Sequence, residues 1–500
     1  MYYESTRGGL KNISSAEAIK RGLAPDGGLF VPQAAVKLTD DEIVSLAAMN
    51  YNERAVFILS RFLDDYSREE LTECVNGAYS GGRFEDNRVA PVKKLSSNAY
   101  IMELWHGPTC AFKDVALQIL PRLLVKANEK TDEKTGTVIL VATSGDTGKA
   151  ALEGFRDVKG TQIIVFFPED GVSQVQKMQM VTQEGGNVYS VAVEGNFDDT
   201  QNGVKAIFSD AELEERMLVN GYRFSSANSI NWGRLVPQIV YYFSAYADLL
   251  AAGEINPGEK INFSVPTGNF GNILAAWYAC EMGLPVGRLI CASNDNNVLT
   301  EFINTGIYNR DREFKKTISP SMDILISSNL ERLLYELSGR NADQIREWMN
   351  DLKKYGRYTI NAEMKQRLSE LFWSSYTTEA ETIETIRDVY ADYEYVIDTH
   401  TAVGVDVYDK YVISTGDMTK TVIVSTASPF KFSKSVAGAI FGENAIEEKT
   451  EFELLEILAA QSALKIPKGL DGLGRREILH RNVCSRETMK GEVIKLLKLT

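Results

Sequence analysis

The chain has few cysteines and few histidines. The five cysteines are Cys74, Cys110, Cys280, Cys291 and Cys484, and no two of them form a C-x-x-C pair. A sparse, odd-numbered set is typical of a reducing compartment and argues against a disulfide framework. The three histidines are far apart in the sequence and none belongs to an H-E-x-x-H motif, so we expect no metal site.

Positive charge is also in short supply. The 54 lysines and arginines are outnumbered by 68 aspartates and glutamates, which gives a net charge of −14. This balance argues against binding to nucleic acid or to an anionic membrane through counterion release. No apolar stretch is long enough to span a bilayer, and residues 1–7 lack the apolar core of a signal peptide. We therefore expect a cytoplasmic protein.

Short apolar runs that alternate with amphipathic helical patterns dominate the rest of the chain. The hydrophobic share of 44% and the charged share of 24% are ordinary for a globular enzyme. From about residue 90, runs such as 137–142, 163–167 and 261–265 are each followed by a polar turn and a helical pattern. This alternation predicts βαβ units and a largely parallel sheet that is covered on both faces.

The pattern divides the chain into five segments. Residues 1–82 form a leading unit with three helices, and residues 83–327 carry the βαβ pattern. Residues 328–395 are helical in pattern and lack strand-like runs, so we interpret them as a helical insertion. Residues 396–445 return to the α/β core, and residues 446–500 are expected to form a helical tail.

Lys113 lies in an apolar context just after the polar turn His106-Gly107-Pro108-Thr109. One interpretation is a surface lysine at a helix end, whose stem covers apolar groups. The other is a partly desolvated amine with a lowered pKa, which is nucleophilic near neutral pH and able to form a Schiff base with a carbonyl. The residue alone does not decide between them.

A glycine-rich turn, Thr267-Gly268-Asn269-Phe270-Gly271-Asn272, lies between a predicted strand and a predicted helix. Backbone N–H groups at a helix N-terminus bind anions, and glycines allow close approach. The turn is neither G-x-G-x-x-G nor a Walker A motif. The alternative is a tight βα turn whose glycines only permit the bend.

A second turn, Ser144-Gly145-Asp146-Thr147-Gly148, follows an earlier strand. It offers glycines, hydroxyls and amides at the edge of a parallel sheet where ligands of open α/β folds bind. The alternative is an ordinary N-capping turn with Asp146 or Thr147 as the cap.

Taken together, the three stretches favour an aldehyde cofactor that carries a phosphate. The lysine would hold the aldehyde and the glycine-rich turn without a Walker lysine would hold the phosphate. Pyridoxal 5'-phosphate has this chemistry.

The chain resembles the threonine synthases, which are pyridoxal-phosphate enzymes of fold type II. The motifs that carry the resemblance are residues 5–8 (Ser-Thr-Arg-Gly), 22–30, 106–109, 111–114, 144–148, 194–199, 228–232, 267–272 and 425–427. The resemblance implies a tryptophan synthase β-like fold. This fold has two open, mostly parallel α/β lobes, an N-terminal α+β unit and a helical insertion.

The resemblance also assigns residues to roles. It implies Lys113 as the Schiff-base lysine and Thr426 beside the pyridine nitrogen. It places Gly268, Asn269, Phe270, Gly271 and Asn272 around the cofactor phosphate, and Ser144, Asp146 and Thr147 around the substrate carboxylate. Asn231 and Arg234 would contact the substrate phosphate, although Arg234 could equally be a solvated arginine at a helix start.

Two residues depart from the family pattern. Asn272 stands where the family usually has Asp, which removes a formal charge near the anion site. Ser428 stands where the family usually has His, so a role given to that histidine does not carry over.

The implied reaction converts O-phospho-L-homoserine and water into L-threonine and phosphate, with a monomer or homodimer as the enzyme. Two other possibilities remain open at this point. One is another fold-type II activity, such as a serine/threonine dehydratase. The other is a threonine-synthase-like protein that has lost turnover and serves as a binding or regulatory module.

Overall fold

Helices and strands alternate along most of the chain, as the hydrophobic pattern predicts. The structure is a computed structural model and describes residues 1–143, 145–462 and 464–500. The strands are β1 (Tyr3–Ser5), β2 (Phe30–Pro32), β3 (Val92–Lys94), β4 (Ala99–Glu103), β5 (Gly136–Ala142), β6 (Thr161–Pro168), β7 (Val188–Glu194), β8 (Tyr222–Ser225), β9 (Ile261–Pro266), β10 (Val286–Ser293), β11 (Ile307–Asn309), β12 (Arg357–Thr359), β13 (Phe372–Tyr376), β14 (Thr421–Ser425) and β15 (Asn482–Ser485).

The helices pack around and between the strands, and short 3₁₀ turns connect several of them. The α-helices are α1 (Ser15–Arg21), α2 (Asp40–Ser45), α3 (Tyr51–Phe62), α4 (Arg68–Tyr79), α5 (Lys113–Lys130), α6 (Asp146–Phe155), α7 (Gln174–Val181), α8 (Phe197–Phe208), α9 (Ala211–Val219), α10 (Trp232–Ala251), α11 (Gly271–Glu281), α12 (Val298–Thr305), α13 (Leu330–Leu337), α14 (Ala342–Tyr355), α15 (Ala362–Leu371), α16 (Glu379–Tyr393), α17 (Thr399–Thr415), α18 (Ser433–Phe441), α19 (Glu443–Ile446), α20 (Glu451–Ser462) and α21 (Met489–Leu496). None of the helices in the described part of the chain has the length and apolar character needed to cross a membrane.

A six-stranded sheet with the order β13-β10-β9-β14-β4-β3 forms one lobe. Its neighbouring strands are parallel, except that the edge strand β3 runs antiparallel to β4. Strands β9, β14 and β4 are adjacent, so their carboxyl ends meet at one edge of the sheet. Ligands of open α/β sheets bind at such an edge.

A five-stranded parallel sheet with the order β15-β7-β6-β5-β8 forms the second lobe. Residues Val138 to Val141 of β5 are at most 1% exposed. They do not alternate between apolar and polar because helices cover both faces of a parallel sheet. The predicted α/β class, with two largely parallel lobes, is confirmed.

The leading unit combines the antiparallel pair β1–β2 with helices α1 to α4. Helices α2, α3 and α4 each begin with a capping box, in which Thr39, Asn50 and Ser67 pair with the glutamate three residues later. Each box satisfies two backbone N–H groups that the helix cannot satisfy internally. The three boxes therefore fix where these helices begin.

Two sequence predictions about the later part of the chain are wrong. Residues 328–395 contain strands: β12 pairs with β11, and β13 joins the edge of the six-stranded sheet beside β10. The expected helical tail at 446–500 contains β15, which pairs with β7. These strands have three to five residues between helices, and an alternating pattern is not legible over so short a run.

The packing of α5 against α6 depends on a glycine. A methyl group at Gly154 of α6 would collide with the carbonyl oxygen of Leu117 in α5, whereas a methyl group at Gly491 of α21 would meet nothing within 4 Å. We expect Gly154→Ala to lower the free energy of unfolding by about 1–3 kcal/mol because the two helices must move apart.

The matched control is Gly491→Ala, which exchanges a helical glycine in open space. It should leave stability unchanged or raise it by about 0.5–1 kcal/mol through helix propensity. Urea denaturation of both variants measures the difference, and equal stabilities of the two would contradict the packing argument.

Candidate active site

Lys113 is the first residue of α5, and its amine meets Asp146, which begins the helix after β5 of the five-stranded sheet. Its side chain is only 11% exposed. The Nζ atom lies 3.1 Å from the Ser321 hydroxyl and 3.5 Å from Oδ2 of Asp146. The interpretation of Lys113 as a surface lysine is therefore wrong, and the desolvated amine is observed.

Asp146 joins two buried lysines. Its Oδ1 atom forms an ion pair at 2.8 Å with Nζ of Lys431, whose side chain is fully buried, while Oδ2 faces Lys113. Gln176 donates a further hydrogen bond to Oδ1 at 3.0 Å. Lys431 also donates to the Thr109 carbonyl at 2.9 Å, so it is tied to the turn that precedes Lys113.

Burial and charge shift the pKa values of this group in opposite directions. Burial lowers the pKa of Lys113, the Asp146 carboxylate opposes that shift, and Lys431 and Arg234 lower it further. Although burial raises the pKa of Asp146, the two lysines lower it more, so that pKa lies far below its usual range. The site therefore holds an ionised carboxylate beside an amine whose pKa is lowered.

The turn at residues 268–272 exposes a row of unused backbone amides. None of its five N–H groups donates a hydrogen bond to any residue that the structure describes. Its carbonyls are instead fixed on the other side: Gly268 O accepts from the Ser327 hydroxyl at 2.8 Å, and Asn269 O accepts from the backbone and side chain of Asn329, both at 3.1 Å. This arrangement suits an anion at the start of α11.

Ser321 contacts both the Lys113 amine and the turn at residues 268–272. Ser321 accepts a hydrogen bond from Lys113, and a methyl group added at Gly268 would come within 2.8 Å of the Ser321 carbonyl oxygen. Phe270 takes a left-handed backbone conformation, with φ of 62°, at the N-cap of α11. The bend is held although Phe270 is not glycine.

Asn272 is buried beneath the turn. Its Oδ1 atom accepts hydrogen bonds from the hydroxyls of Tyr241 and Tyr242, at 2.5 and 2.6 Å. Its Nδ2 atom is buried and has no partner among the described residues. A buried N–H group without a partner is costly unless a ligand supplies an acceptor.

Thr426 follows β14 and lies beside the segment that carries Lys113. Its carbonyl accepts a hydrogen bond from Phe112 at 2.8 Å, and its neighbour Ala427 forms a bridge with Ala111. Its hydroxyl forms no hydrogen bond with another described residue, so it is available to a ligand.

The turn after β5, residues 144–148, contributes Asp146 to the group around Lys113. Ser144 lies outside the described residues. The backbone at Gly145 has φ of 151°, and an added Cβ would lie 2.5 Å from Nε2 of Gln176, so this position requires glycine. Helix α6 begins at Asp146, and neither Asp146 nor Thr147 accepts a backbone N–H from a described residue through its side chain, so these two residues do not act as the cap. The half-buried Thr147 lies in the first turn of α6.

Asn231 and Arg234 both lie at the start of α10 and both are buried. Asn231 caps the helix and donates its amide hydrogens to the Ile19 and Ser226 carbonyls, so its side chain is fully engaged. Arg234 is 4% exposed, donates through Nη1 to the Ala227 carbonyl at 2.6 Å, and its Nε atom has no partner among the described residues. Burial lowers the pKa of Arg234 to about 10. The interpretation of Arg234 as a solvated arginine is wrong.

Three residues of the site were not predicted from the sequence. Ser321 and Lys431 contact the Lys113 group, and His400 accepts a hydrogen bond from the Ser321 backbone at 3.1 Å while its Nδ1 lies 2.7 Å from Asp398. Lys431 could have been noticed, because it stands between Phe430 and Phe432 as Lys113 stands in an apolar run. Nothing in the sequence marks Ser321.

Family models define the class of protein to which this fold and site belong. Residues 87–359 match the model described as "Pyridoxal-phosphate dependent enzyme". Residues 2–79 match "Threonine synthase N terminus", and residues 401–468 match "Threonine synthase, C-terminal". The chain is thus a member of the pyridoxal-phosphate-dependent enzymes, and pyridoxal 5'-phosphate is its cofactor.

Individual relatives narrow the class. The chain is 40% identical over 444 residues to the threonine synthase of Pseudomonas aeruginosa, which covers 89% of this chain and 91% of that one. It is 42% identical over 435 residues to the human "Threonine synthase-like 1" and 39% identical to that of Pongo abelii, of which it spans 58% and 66% of the length. The chain belongs to the threonine synthase family.

Solved structures agree with this assignment. The pyridoxal-phosphate-bound threonine synthase of Brucella melitensis superposes with a TM-score of 0.88 at 36% identity, over 100% of both chains. The yeast threonine synthase gives a TM-score of 0.88 at 32% identity, over 100% of this chain and 99% of that one. Three predictions from the sequence are therefore confirmed: the family resemblance, the fold class and the cofactor.

Loss of the Asp146 carboxylate should destabilise the fold. We expect Asp146→Asn to cost about 3–5 kcal/mol of unfolding free energy at neutral pH, because Lys431 would be left buried without its partner. Since the pKa of Asp146 is lowered by folding, its contribution is present above pH 4 or so and is lost as the pH falls below that value. Denaturant unfolding from pH 7 downward measures both effects.

A double variant and a surface control make this prediction specific. Asp146→Asn combined with Lys431→Met should recover part of the lost stability, because no unpaired ammonium remains there. Asp198→Asn, at an exposed position, should change stability by no more than about 0.5 kcal/mol. A double variant less stable than Asp146→Asn alone would contradict the account.

Proposed function

We propose that the chain is an active threonine synthase, which converts O-phospho-L-homoserine and water into L-threonine and phosphate. The observation that carries this proposal is the placement of a desolvated lysine amine one residue away from a turn of unused backbone amides. Ser321 contacts both partners. The aldehyde and the phosphate of pyridoxal phosphate lie at opposite ends of one small molecule, so a lysine and an amide turn that share one neighbour are suited to holding its two ends.

Lys113 is proposed as the residue that holds the cofactor aldehyde and moves protons. Its lowered pKa raises the fraction of neutral amine at pH 7, which both nucleophilic attack and proton abstraction require. When bound, pyridoxal phosphate supplies an electron sink for the carbanion formed at the substrate α-carbon. Once the substrate amine has taken its place, the freed Lys113 amine would accept the α-proton and carry protons at the neighbouring carbon.

The carboxylate and the phosphate of the substrate have separate candidate partners. The start of α6, with Thr147 in its first turn, would receive the substrate carboxylate; Ser144, which lies outside the described residues, stays a prediction for the same carboxylate. Arg234, with a buried guanidinium and an unpaired Nε, is suited to the substrate phosphate. Asn231 stays a prediction for that phosphate, although its side-chain amide is occupied by backbone carbonyls.

Asp146 serves in this proposal as the counterion of the two lysines rather than as a direct contact of the substrate carboxylate. One of its oxygens pairs with the Lys431 ammonium, and the other faces the Lys113 amine. Its charge balances Lys431 and positions Lys113, whereas a second carboxylate at the same point would repel it. The backbone N–H of Asp146, in the first turn of α6, is the part that remains for the substrate.

The Thr426 hydroxyl would lie at the pyridine nitrogen of the cofactor. Unlike a carboxylate, a hydroxyl does not enforce protonation of that nitrogen, so the ring is a milder electron sink. The turn at 268–272 would bind the cofactor phosphate with its amides, and the unpartnered Nδ2 of Asn272 offers one further donor from below.

A protein without turnover is the second candidate, and Ser428 is the observation that favours it. Ser428 is fully buried, and its N–H donates to the Cys110 carbonyl at 3.0 Å, close to the segment that carries Lys113. A serine at this place cannot act as the acid or base that a histidine could provide at neutral pH. Another fold-type II activity, such as a serine/threonine dehydratase, is the remaining enzymatic alternative.

Lys113→Ala should abolish the yellow colour of the purified protein while the fold is kept, because no amine remains to hold the aldehyde. The visible absorbance spectrum of the folded variant measures the loss of colour. The matched control is Lys149→Met, which removes a different buried lysine and should leave the colour in place. Phosphate release by Lys113→Ala at the wild-type rate would contradict the assignment.

The substrate distinguishes the candidate activities. The purified holoenzyme should release inorganic phosphate and form threonine from O-phospho-L-homoserine, and should form no 2-oxo acid from serine or threonine. A cofactor-free preparation is the control. Formation of a 2-oxo acid without phosphate release indicates a dehydratase, and cofactor binding without either product indicates a protein without turnover.

Three further statements stay predictions. They are the location in the cytoplasm, the monomeric or homodimeric state, and the division into segments 1–82, 83–327, 328–395, 396–445 and 446–500.

A further inference from the structure

A second, strongly cationic cleft lies outside the site described above. Its volume is about 800 Å³. The basic side chains that line it are Arg83, Arg122, Lys149, Arg156, Lys468 and Arg476. Only two acidic residues, Glu85 and Glu153, line it as well. Six positive and two negative charges leave an excess of four positive charges in a chain whose net charge is −14.

The two acidic residues neutralise only part of the cleft. Glu153 lies 3.5 Å from Nζ of Lys149 and 3.3 Å from Arg156, and Glu85 accepts the backbone N–H of Lys468 at 2.7 Å. Within the described part of the chain, no carboxylate forms an ion pair with the side chains of Arg83, Arg122, Lys468 or Arg476. Four cationic groups therefore line the cleft without a carboxylate partner among the described residues.

The side chain of Arg122 packs against a glycine of α4, where any larger residue would collide with it. The side chain is half-buried at the base of the cleft, where a methyl group at Gly77 of α4 would lie 2.5 Å from its Nε atom. Burial lowers the pKa of Arg122, and the neighbouring Arg83 lowers it further. Two guanidinium groups that line one cleft repel each other, and an anion bound there would relieve that repulsion.

The lining also limits the chemical class of the anion. No aromatic side chain is present among the described residues of the cleft, so there is no surface on which a nucleobase would stack. Arginine guanidinium groups match phosphate oxygens with two parallel hydrogen bonds each. We propose that this cleft is a binding site for a small oligophosphate anion, held mainly by Arg83 and Arg122.

The walls of the cleft come from four parts of the chain. They are the end of α4 with residues 80–85, the helix α5 with Pro108 before it, the helix α6, and residues 468–476. The first and last of these parts contact the turn at 106–109: the N–H of Glu85 donates to the His106 carbonyl at 2.8 Å, and a Cβ at Gly469 would collide with the Pro108 carbonyl. A bound oligophosphate therefore links segments that pack on the turn before Lys113, and it should stabilise the fold.

The test uses the full chain saturated with pyridoxal phosphate, so that residues 268–272 are not available to the probe. Inorganic tripolyphosphate is titrated in a calorimeter at constant ionic strength, with sulfate as the comparison anion. We expect saturable binding of tripolyphosphate, at least tenfold tighter than that of sulfate, together with a rise in Tm. No saturable heat at millimolar tripolyphosphate would overturn the proposal.

Matched variants locate the site. Arg83→Gln should weaken binding at least tenfold, and it removes no internal hydrogen bond because Arg83 donates none to a described residue. Arg122→Gln should weaken binding as well, whereas Lys134→Gln, which changes an exposed lysine outside the cleft, should leave the affinity unchanged.

Equal affinity in Arg83→Gln, Lys134→Gln and the unmodified chain would place the anion elsewhere and overturn the proposal. Because binding is measured as heat and as Tm, its outcome is independent of whether the proposed reaction is correct.

Discussion

The buried carboxylate of Asp146 is the constraint on which the site depends. It faces Lys113 on one side and Lys431 on the other, and Lys431 in turn binds the carbonyl of Thr109. Two ammonium groups could not share this desolvated space without a negative charge between them. The arrangement places Lys113 where its proton is held weakly, while the overall charge of the group remains close to neutral.

The amide turn at 268–272 is positioned by parts of the chain that are far away in sequence. Ser327 and Asn329 hold its carbonyls. The following helix α13 is fixed to the leading unit, because Arg7 forms an ion pair at 2.8 Å with Glu331, which also accepts a hydrogen bond from Thr6. The Ser5-Thr6-Arg7-Gly8 motif therefore has a structural reason: it anchors the helix that orients the turn.

The sequence was sufficient for the βαβ class, for the helical character of the leading unit and for Lys113, because each of these leaves a local signal. Strands β12, β13 and β15 were missed because three to five residues carry no periodicity. Ser321, His400 and Lys431 were missed for a different reason. Ser321 and Lys431 reach Lys113 and Asp146, and His400 reaches Ser321, only through tertiary packing, and spacing along the chain contains no record of that proximity.

The central claim is that the amine of Lys113 is the group that holds pyridoxal phosphate. Borohydride reduction of the holoenzyme, followed by tryptic digestion and mass spectrometry, tests it most directly. A reduced adduct on Lys113 would block cleavage there and yield a labelled peptide that spans residues 95–122. A label on Lys431 or another lysine, or no label on a coloured protein, would contradict the account.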